Sequence, residues 1–224
     1  MRDVVTVAVT SSEGMSGADL DAFVARLPEN EQRRATAMRL DSRRRSFVLG
    51  RTLLRAAVAR AAGVPPENVR VEIEPGGRPV LSGALSKFFV SIAHSGRYVV
   101  VAVAKRPVGV DVELLRHSPR FQQVAARVCS PAQLQMLAHS HGSDRDRAFL
   151  TMWARKEAYG KAQGLGLDFP VRSVTVGGKV AGGDGRGRTW RTRKVDVDPA
   201  YVAAVAAPGR IWRVRLDRID RTSL

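Results

Sequence analysis

The chain is poor in the groups that small proteins use as covalent or metallic staples. It has one cysteine, Cys129, which excludes an internal disulfide framework and a thiolate zinc site. Its four histidines do not form a zinc-binding spacing either, because His139 and His141 fall in the polar run HSHGSD, which reads as a loop. Aromatic residues are only 6% of the chain, too few for a surface that stacks bases. No apolar run reaches the ~18–20 residues of a membrane span. The start, MRDVVTVAVTSSEG, alternates like a strand and lacks the apolar centre of a signal peptide, so a cytoplasmic location is expected.

Acids are also scarce. Lys and Arg total 37 against 21 Asp and Glu, a net charge of +16, and only six of the cations are lysine. Such a surface attracts anions at long range: nucleic acid, anionic membrane, an acidic protein or phosphorylated small molecules. At 224 residues, with 44% hydrophobic residues, the chain has enough material to bury a core unaided.

Three short segments echo one another in order. RDRAFL at 145–150 repeats RRRSFV at 43–48, an offset of 102. VRSVTVGGK at 171–179 follows VRVEIEPGGR at 69–78, and YVAAVAA at 201–207 follows YVVVAVA at 98–104, at offsets of 101 to 103. The spacing implies two similar halves, 1–105 and 106–224, joined near AKRPVG at 104–109.

Each half opens on a helix pattern, 41–62 and 144–163, and each pattern stops at a glycine, Gly63 and Gly164. VRVEIE reads as a strand, and FFVSIAHSGRYVVVAVA as two strands around a turn at Ser95-Gly96. Ser130-Pro131-Ala132-Gln133 is a capping box that starts a helix near 131–139. The fold class is therefore α+β. The expected arrangement is two pseudo-symmetric lobes, each a long helix on a small antiparallel sheet, with the site in the cleft between them. Residues 180–192, with GGDGRGR, read as a loop without an assignable role.

In VGVDVE, 108–113, strand alternation points Asp111 and Glu113 to one face and Val110 and Val112 to the other. Two adjacent carboxylates suit a hard divalent cation; the plainer alternative is a pair of surface acids facing arginines. In WARKEAYGKAQGLGL, 153–167, Trp153, Glu157 and Lys161 share one helix stripe. Glu157 can add a carboxylate to the same metal and Lys161 can reach a phosphate, or the two form an ordinary Glu–Lys pair. His94 and Ser95 suit a phosphate at a strand end, or are plain turn residues. EPGGRPVL, 74–81, puts Arg78 after a glycine turn that matches no phosphate-loop motif. Arg43, Arg44, Arg45, Arg51 and Arg55 load the first long helix, as phosphate clamps or as a solvated face.

Taken in order, GGRPVL (76–81), SIAHS (91–95), VGVDVE (108–113) and WARKEAYGKAQGLGL (153–167) resemble the signature of the 4′-phosphopantetheinyl transferases. The two-halved length resembles the surfactin-synthetase-activating (Sfp) type, whose lobes form a pseudo-dimer. The resemblance runs from about residue 40 to 167, and 170–207 fits the second lobe less closely. It implies transfer of the phosphopantetheine arm of coenzyme A to a serine of a carrier protein, releasing adenosine 3′,5′-bisphosphate. It implies Mg²⁺, with Mn²⁺ as a substitute, on Asp111, Glu113 and Glu157. Glu157, Lys161 and Asp111 then act as catalytic residues, with Lys161 on the pyrophosphate.

Arg43, Arg51, Arg78, His94, Ser95, Lys156 and Lys161 are the implied coenzyme A contacts. One departure is Ala93, where the family often has serine before histidine. The implied partners are acidic carrier domains of polyketide, nonribosomal-peptide or fatty-acid synthases, docked through 120–137, with apolar Val124, Val128, Leu134 and Leu137. A monomer is expected, without nucleic-acid or membrane partners. The competing readings are a coenzyme A or nucleotide-binding module without catalysis and a basic nucleic-acid-binding protein. Neither gives the three carboxylates a task.

Overall fold

The computed structural model describes residues 4–117, 121–165, 170–176, 179–181, 189–209 and 212–224. In chain order come β1 (Val4–Ser11), α1 (Gly17–Ala25), α2 (Glu29–Thr36), α3 (Asp41–Ala62), β2 (Val71–Ile73), β3 (Pro79–Leu81), β4 (Phe89–Ser95), β5 (Tyr98–Ala104) and β6 (Gly109–Leu114). Then follow α4 (Phe121–Val128), α5 (Pro131–Ala138), α6 (Gly142–Gln163), β7 (Thr175–Val176), β8 (Lys179–Ala181), β9 (Trp190–Lys194), β10 (Tyr201–Pro208) and β11 (Arg213–Arg218). The mixed α+β composition agrees with the sequence reading.

The strands form a four-stranded sheet in the order β11-β1-β5-β4, a five-stranded sheet in the order β6-β10-β9-β8-β7, and the hairpin β2-β3. Alternation sorts the side chains into layers. Val99, Val101 and Val103 of β5 meet Val48, Leu49, Leu53 and Leu54 of α3. Their neighbours Val100 and Ala102 face the other way, into a core shared with Val110 and Val112 of β6 and Ala203 and Val205 of β10. The opposite side of β10, with Val202, Ala204 and Ala206, packs against Ala154, Ala158 and Ala162 of α6. The two sheets thus sit between α3 and α6. Burial on both faces explains why YVVVAVA and YVAAVAA are continuous apolar runs rather than alternating ones.

Both long helices have 22 residues and end on a left-handed glycine, Gly63 at φ 70° and Gly164 at φ 72°. The second helix begins two residues before the expected start. The Ser130–Gln133 capping box forms, with Pro131 in the first turn. Ser95 still belongs to β4, so the hairpin turns at Gly96-Arg97, where Gly96 has φ 54°. VRVEIE contributes only three strand residues, Val71–Ile73, which pair with β3 as a two-stranded hairpin among the described residues. The last strand, β11, runs parallel to β1, with Val5 opposite Val214. The sheet of the first half is thereby completed by the end of the second. Much of the 180–192 segment lies outside the described residues.

Candidate active site

The site grows from one close contact. A Cβ on Gly109 would lie 2.0 Å from the Ala158 carbonyl oxygen and 2.5 Å from the Ala162 nitrogen. Glycine here lets the backbone of α6 rest directly on the start of β6. The approach brings the polar stripe of α6 against the carboxylate face of β6. Lys161 Nζ donates to Asp111 Oδ1 at 2.6 Å and to the Val110 carbonyl oxygen at 3.2 Å. Two turns back on α6, Trp153 Nε1 donates to Glu113 Oε1 at 3.0 Å. Ser95 Oγ donates to Glu113 Oε2 at 3.3 Å while accepting the Leu114 N–H at 3.0 Å.

Electrostatics couples these groups. Burial raises the Asp111 carboxyl above its usual range, against the pull of Lys161. Burial and then the charge of Asp111 raise Glu113 and Glu157 as well. Three carboxylates therefore share one amino group and repel one another. Asp111 is only 6% exposed, and its Oδ2 is buried without a hydrogen-bond partner. An orphaned carboxylate oxygen beside two further acids is the donor chemistry a hard divalent cation takes. As placed, no group of three acid, His or Cys side chains among the described residues converges into a finished metal cage.

The neighbouring groups are nitrogen donors. His94 stands at the open end of β4, yet the protein around it, then the charges of Lys161 and Arg43, hold its pKa below the usual value. Arg78 lies against the end of α6, where a Cβ on Gly164 would be 2.7 Å from its Nη1. Arg78, Ser91, Ile92 and Lys161 line a cavity of about 450 Å³ that reaches the glycine turn at Gly76-Gly77. A larger cavity, about 950 Å³, lies beside α3 and contains none of these residues.

Three expectations meet a different arrangement. Lys156 is turned away from the expected coenzyme A contact: its side chain is fully buried, and Nζ donates to Val128 O, Gln133 Oε1 and Val171 O at 2.7, 2.8 and 2.7 Å. With no carboxylate partner among the described residues, it is pulled down to about 8 by burial. Arg51 is also buried, its Nε 3.4 Å from Glu31 and its guanidinium over the Phe47 ring, so it is turned into the protein. In the 120–137 segment, Val128 and Leu137 point inward against Phe149 and Met152, and Leu134 packs on the same cluster. Val124 and Met136, 38% and 58% exposed, are its outward apolar groups. Arg120 lies outside the described residues.

The structure adds two groups that the sequence reading did not assign. One is the Trp153 indole N–H on Glu113, for which the shared stripe with Glu157 was the available signal. The other is Ser91, whose Oγ accepts the Val110 N–H at 3.1 Å and ties β4 to β6.

Comparison with known proteins identifies the family. The 4′-phosphopantetheinyl transferase superfamily model matches residues 107–206, and an N-terminal 4′-phosphopantetheinyl transferase model matches 15–106. A 4′-phosphopantetheinyl transferase of Bacillus subtilis is 32% identical over 166 residues, 71% of this chain and 72% of its own length. The transferase HetI of Nostoc sp. is 28% identical over 204 residues, 88% of this chain and 84% of its own. The transferase Sfp of Bacillus subtilis strain 168 is 28% identical over 129 residues, 58% of this chain and 56% of its own. The chain belongs to the 4′-phosphopantetheinyl transferases, a family of enzymes. Among the described residues no helix is long and apolar enough to cross a membrane.

Proposed function

We propose that this enzyme transfers the phosphopantetheine arm of coenzyme A to a serine hydroxyl of an apo carrier domain and releases adenosine 3′,5′-bisphosphate. The observation that carries the reading is the Asp111–Glu113–Glu157 set with Lys161 on Asp111 and an orphaned Asp111 oxygen. Asp111, Glu113 and Glu157 would hold Mg²⁺, or Mn²⁺ in its place. Bound there, the ion would supply charge neutralisation for the pyrophosphate. Glu157 takes the serine proton as the serine oxygen bonds to the phosphorus that carries pantetheine. The bond from that phosphorus to the oxygen of the nucleotide bisphosphate breaks. Lys161 meets the charge that gathers on the leaving group.

Arg43, Arg78 and His94 face the phosphates of coenzyme A in this reading. Ser95 serves through its hydrogen bond to Glu113, and its single O–H would have to turn from that carboxylate to reach a phosphate oxygen. Arg51 and Lys156 act through the fold. The reading includes two related lobes, 1–105 and 106–224, with the site between them. Matched 22-residue helices, their terminal glycines and the hairpins β2-β3 and β7-β8 support it. β11 then belongs to the first sheet although it lies in the second half. We place the enzyme in the cytoplasm as a monomer.

The metal is tested by titrating Mg²⁺ into the protein with coenzyme A bound. Binding should be saturable and should weaken at least tenfold in Asp111→Asn, since a carboxylate oxygen would be lost from the ion. Saturable binding of equal strength in the variant would remove Asp111 from the metal site.

The net charge of +16 fits an acidic carrier of a polyketide, peptide or fatty-acid synthase, met at α4–α5. Exposed Arg127 lies on that segment. Arg127→Glu should raise the carrier KM several-fold at low salt and progressively less as salt screens the charge. A carrier KM that ignores both the substitution and the salt would exclude electrostatic docking there.

A further inference from the structure

Lys156 is a buried charge that the reaction does not use. Its ammonium offers three N–H groups and finds three oxygens, one from each of three segments. Val128 ends α4, Gln133 is the capping-box residue in the first turn of α5, and Val171 follows α6. No carboxylate pairs with it among the described residues. An ammonium buried among neutral oxygens is expensive, and an apolar side chain of similar length would fill the space at less cost. What an apolar side chain would not do is fix three backbone segments at one point.

The need for a fixed point is evident in α4 and α5. Each has eight residues, too few to be stable as isolated helices. Their apolar contact with α6 is a small cluster around Ala125, Cys129, Leu137, Phe149 and Met152. Apolar packing of this kind tolerates sliding, whereas three hydrogen bonds of 2.7 to 2.8 Å do not. Lys156 is also next to Glu157. One turn of α6 therefore carries the proposed base on one side and the anchor of α4–α5 on the other.

We propose that Lys156 is a positioning residue that sets the α4–α5 unit, and with it the bound carrier's serine, at a fixed distance from Glu157. The proposal rests on the reading that α4–α5 is the carrier-docking segment. Loss of the anchor then weakens productive carrier binding while leaving the coenzyme A side of the site intact. This is a split that a general loss of folding does not produce.

The test uses Lys156→Met, which keeps the length and removes the three donors, and Gln133→Ala, which keeps the lysine and removes one of its acceptors together with the capping bond from Ser130 N–H. Ser130→Ala, which loses the other half of the capping box and leaves the Lys156 contacts in place, is therefore run beside it. Hydrogen exchange is followed at 121–137 and at 109–114, and KM is measured for both substrates. The expected result is faster exchange confined to 121–137 and a carrier KM raised about tenfold in Lys156→Met, less in Gln133→Ala, with the coenzyme A KM within about twofold of the parent. Should Lys156→Met not fold, Gln133→Ala carries the same pattern at smaller size. Unchanged exchange at 121–137, or equal rises in both KM values, overturns the proposal. Met136→Asp, on the exposed side of α5, tests the docking reading separately. If it leaves the carrier KM unchanged, the docking reading fails, and with it the carrier half of the proposal; the exchange data still decide whether Lys156 is the anchor.

Discussion

Replacing Glu157 by Gln is expected to lower the rate of carrier modification by about 10²–10⁴-fold while coenzyme A still binds. The substitution keeps the shape of the side chain and removes its capacity to take a proton. Glu157 sits half-buried on the stripe of α6 that also presents Trp153 and Lys161 to β6. Burial and the charge of Asp111 both increase its affinity for a proton, and Lys161 limits the increase. Measuring metal binding in the same variant separates its two proposed roles. Near-parental turnover with metal still bound would remove Glu157 as the base and leave a solvent-derived base in its place. Loss of both metal and turnover would make it a ligand first.

Gly109→Ala is expected to be as damaging, from a position with no chemical group at all. Its Cβ would meet backbone atoms of Ala158 and Ala162, which do not swing aside as a side-chain tip would. These two residues flank Lys161 on α6. Moving the helix away from β6 pulls Lys161 off Asp111, where it now donates at 2.6 Å. Overpacking of this kind costs about 1–3 kcal/mol or more. For a chain of this size that lowers Tm by roughly 2–4 °C per kcal/mol. Activity should fall further than the melting shift alone explains, because the displaced Lys161 is the group proposed to meet the leaving-group charge. Gly17→Ala is the control, since a Cβ there meets nothing within 4 Å. A Gly109→Ala protein with parental Tm and activity would show that α6 does not depend on this contact for its position.

Local signals account for what the sequence reading predicted well. The glycines that end α3 and α6, the capping box of α5 and the alternation that puts Asp111 and Glu113 on one face are all set within a few residues. The sequence reading assigned no element to 17–25, although Ser16 and Asp19 form a capping box there. Long-range features lack such signals. Nothing local in RVRLDR indicates that β11 joins β1 across the whole length of the chain.

Lys156 shows the limit most clearly. Its side chain leaves α6 about 100° from that of Glu157, and a helix packed on one side only would expose it. Here α6 is covered on a second side by α4 and α5, so the lysine beside Glu157 meets the Val128 carbonyl of α4 and the Gln133 side chain of α5, with the Val171 carbonyl beyond α6, instead of a phosphate. Arg51 follows the same rule. Of the arginines on α3, Arg44 and Arg45 make surface pairs with Asp21 and Asp41, while Arg51 and Arg55 close on buried Glu31. The run reads as uniform, and the packing divides it.

The central claim is phosphopantetheine transfer that depends on the acids of β6 and α6. Intact-mass spectrometry of an apo carrier domain incubated with the enzyme, coenzyme A and Mg²⁺ tests it most directly, with EDTA in a parallel reaction. The account predicts a gain of one phosphopantetheine mass on the carrier, abolished by EDTA. No gain on fatty-acid, polyketide or peptide carriers, with coenzyme A demonstrably bound, would contradict it and leave a binding protein in place of the transferase.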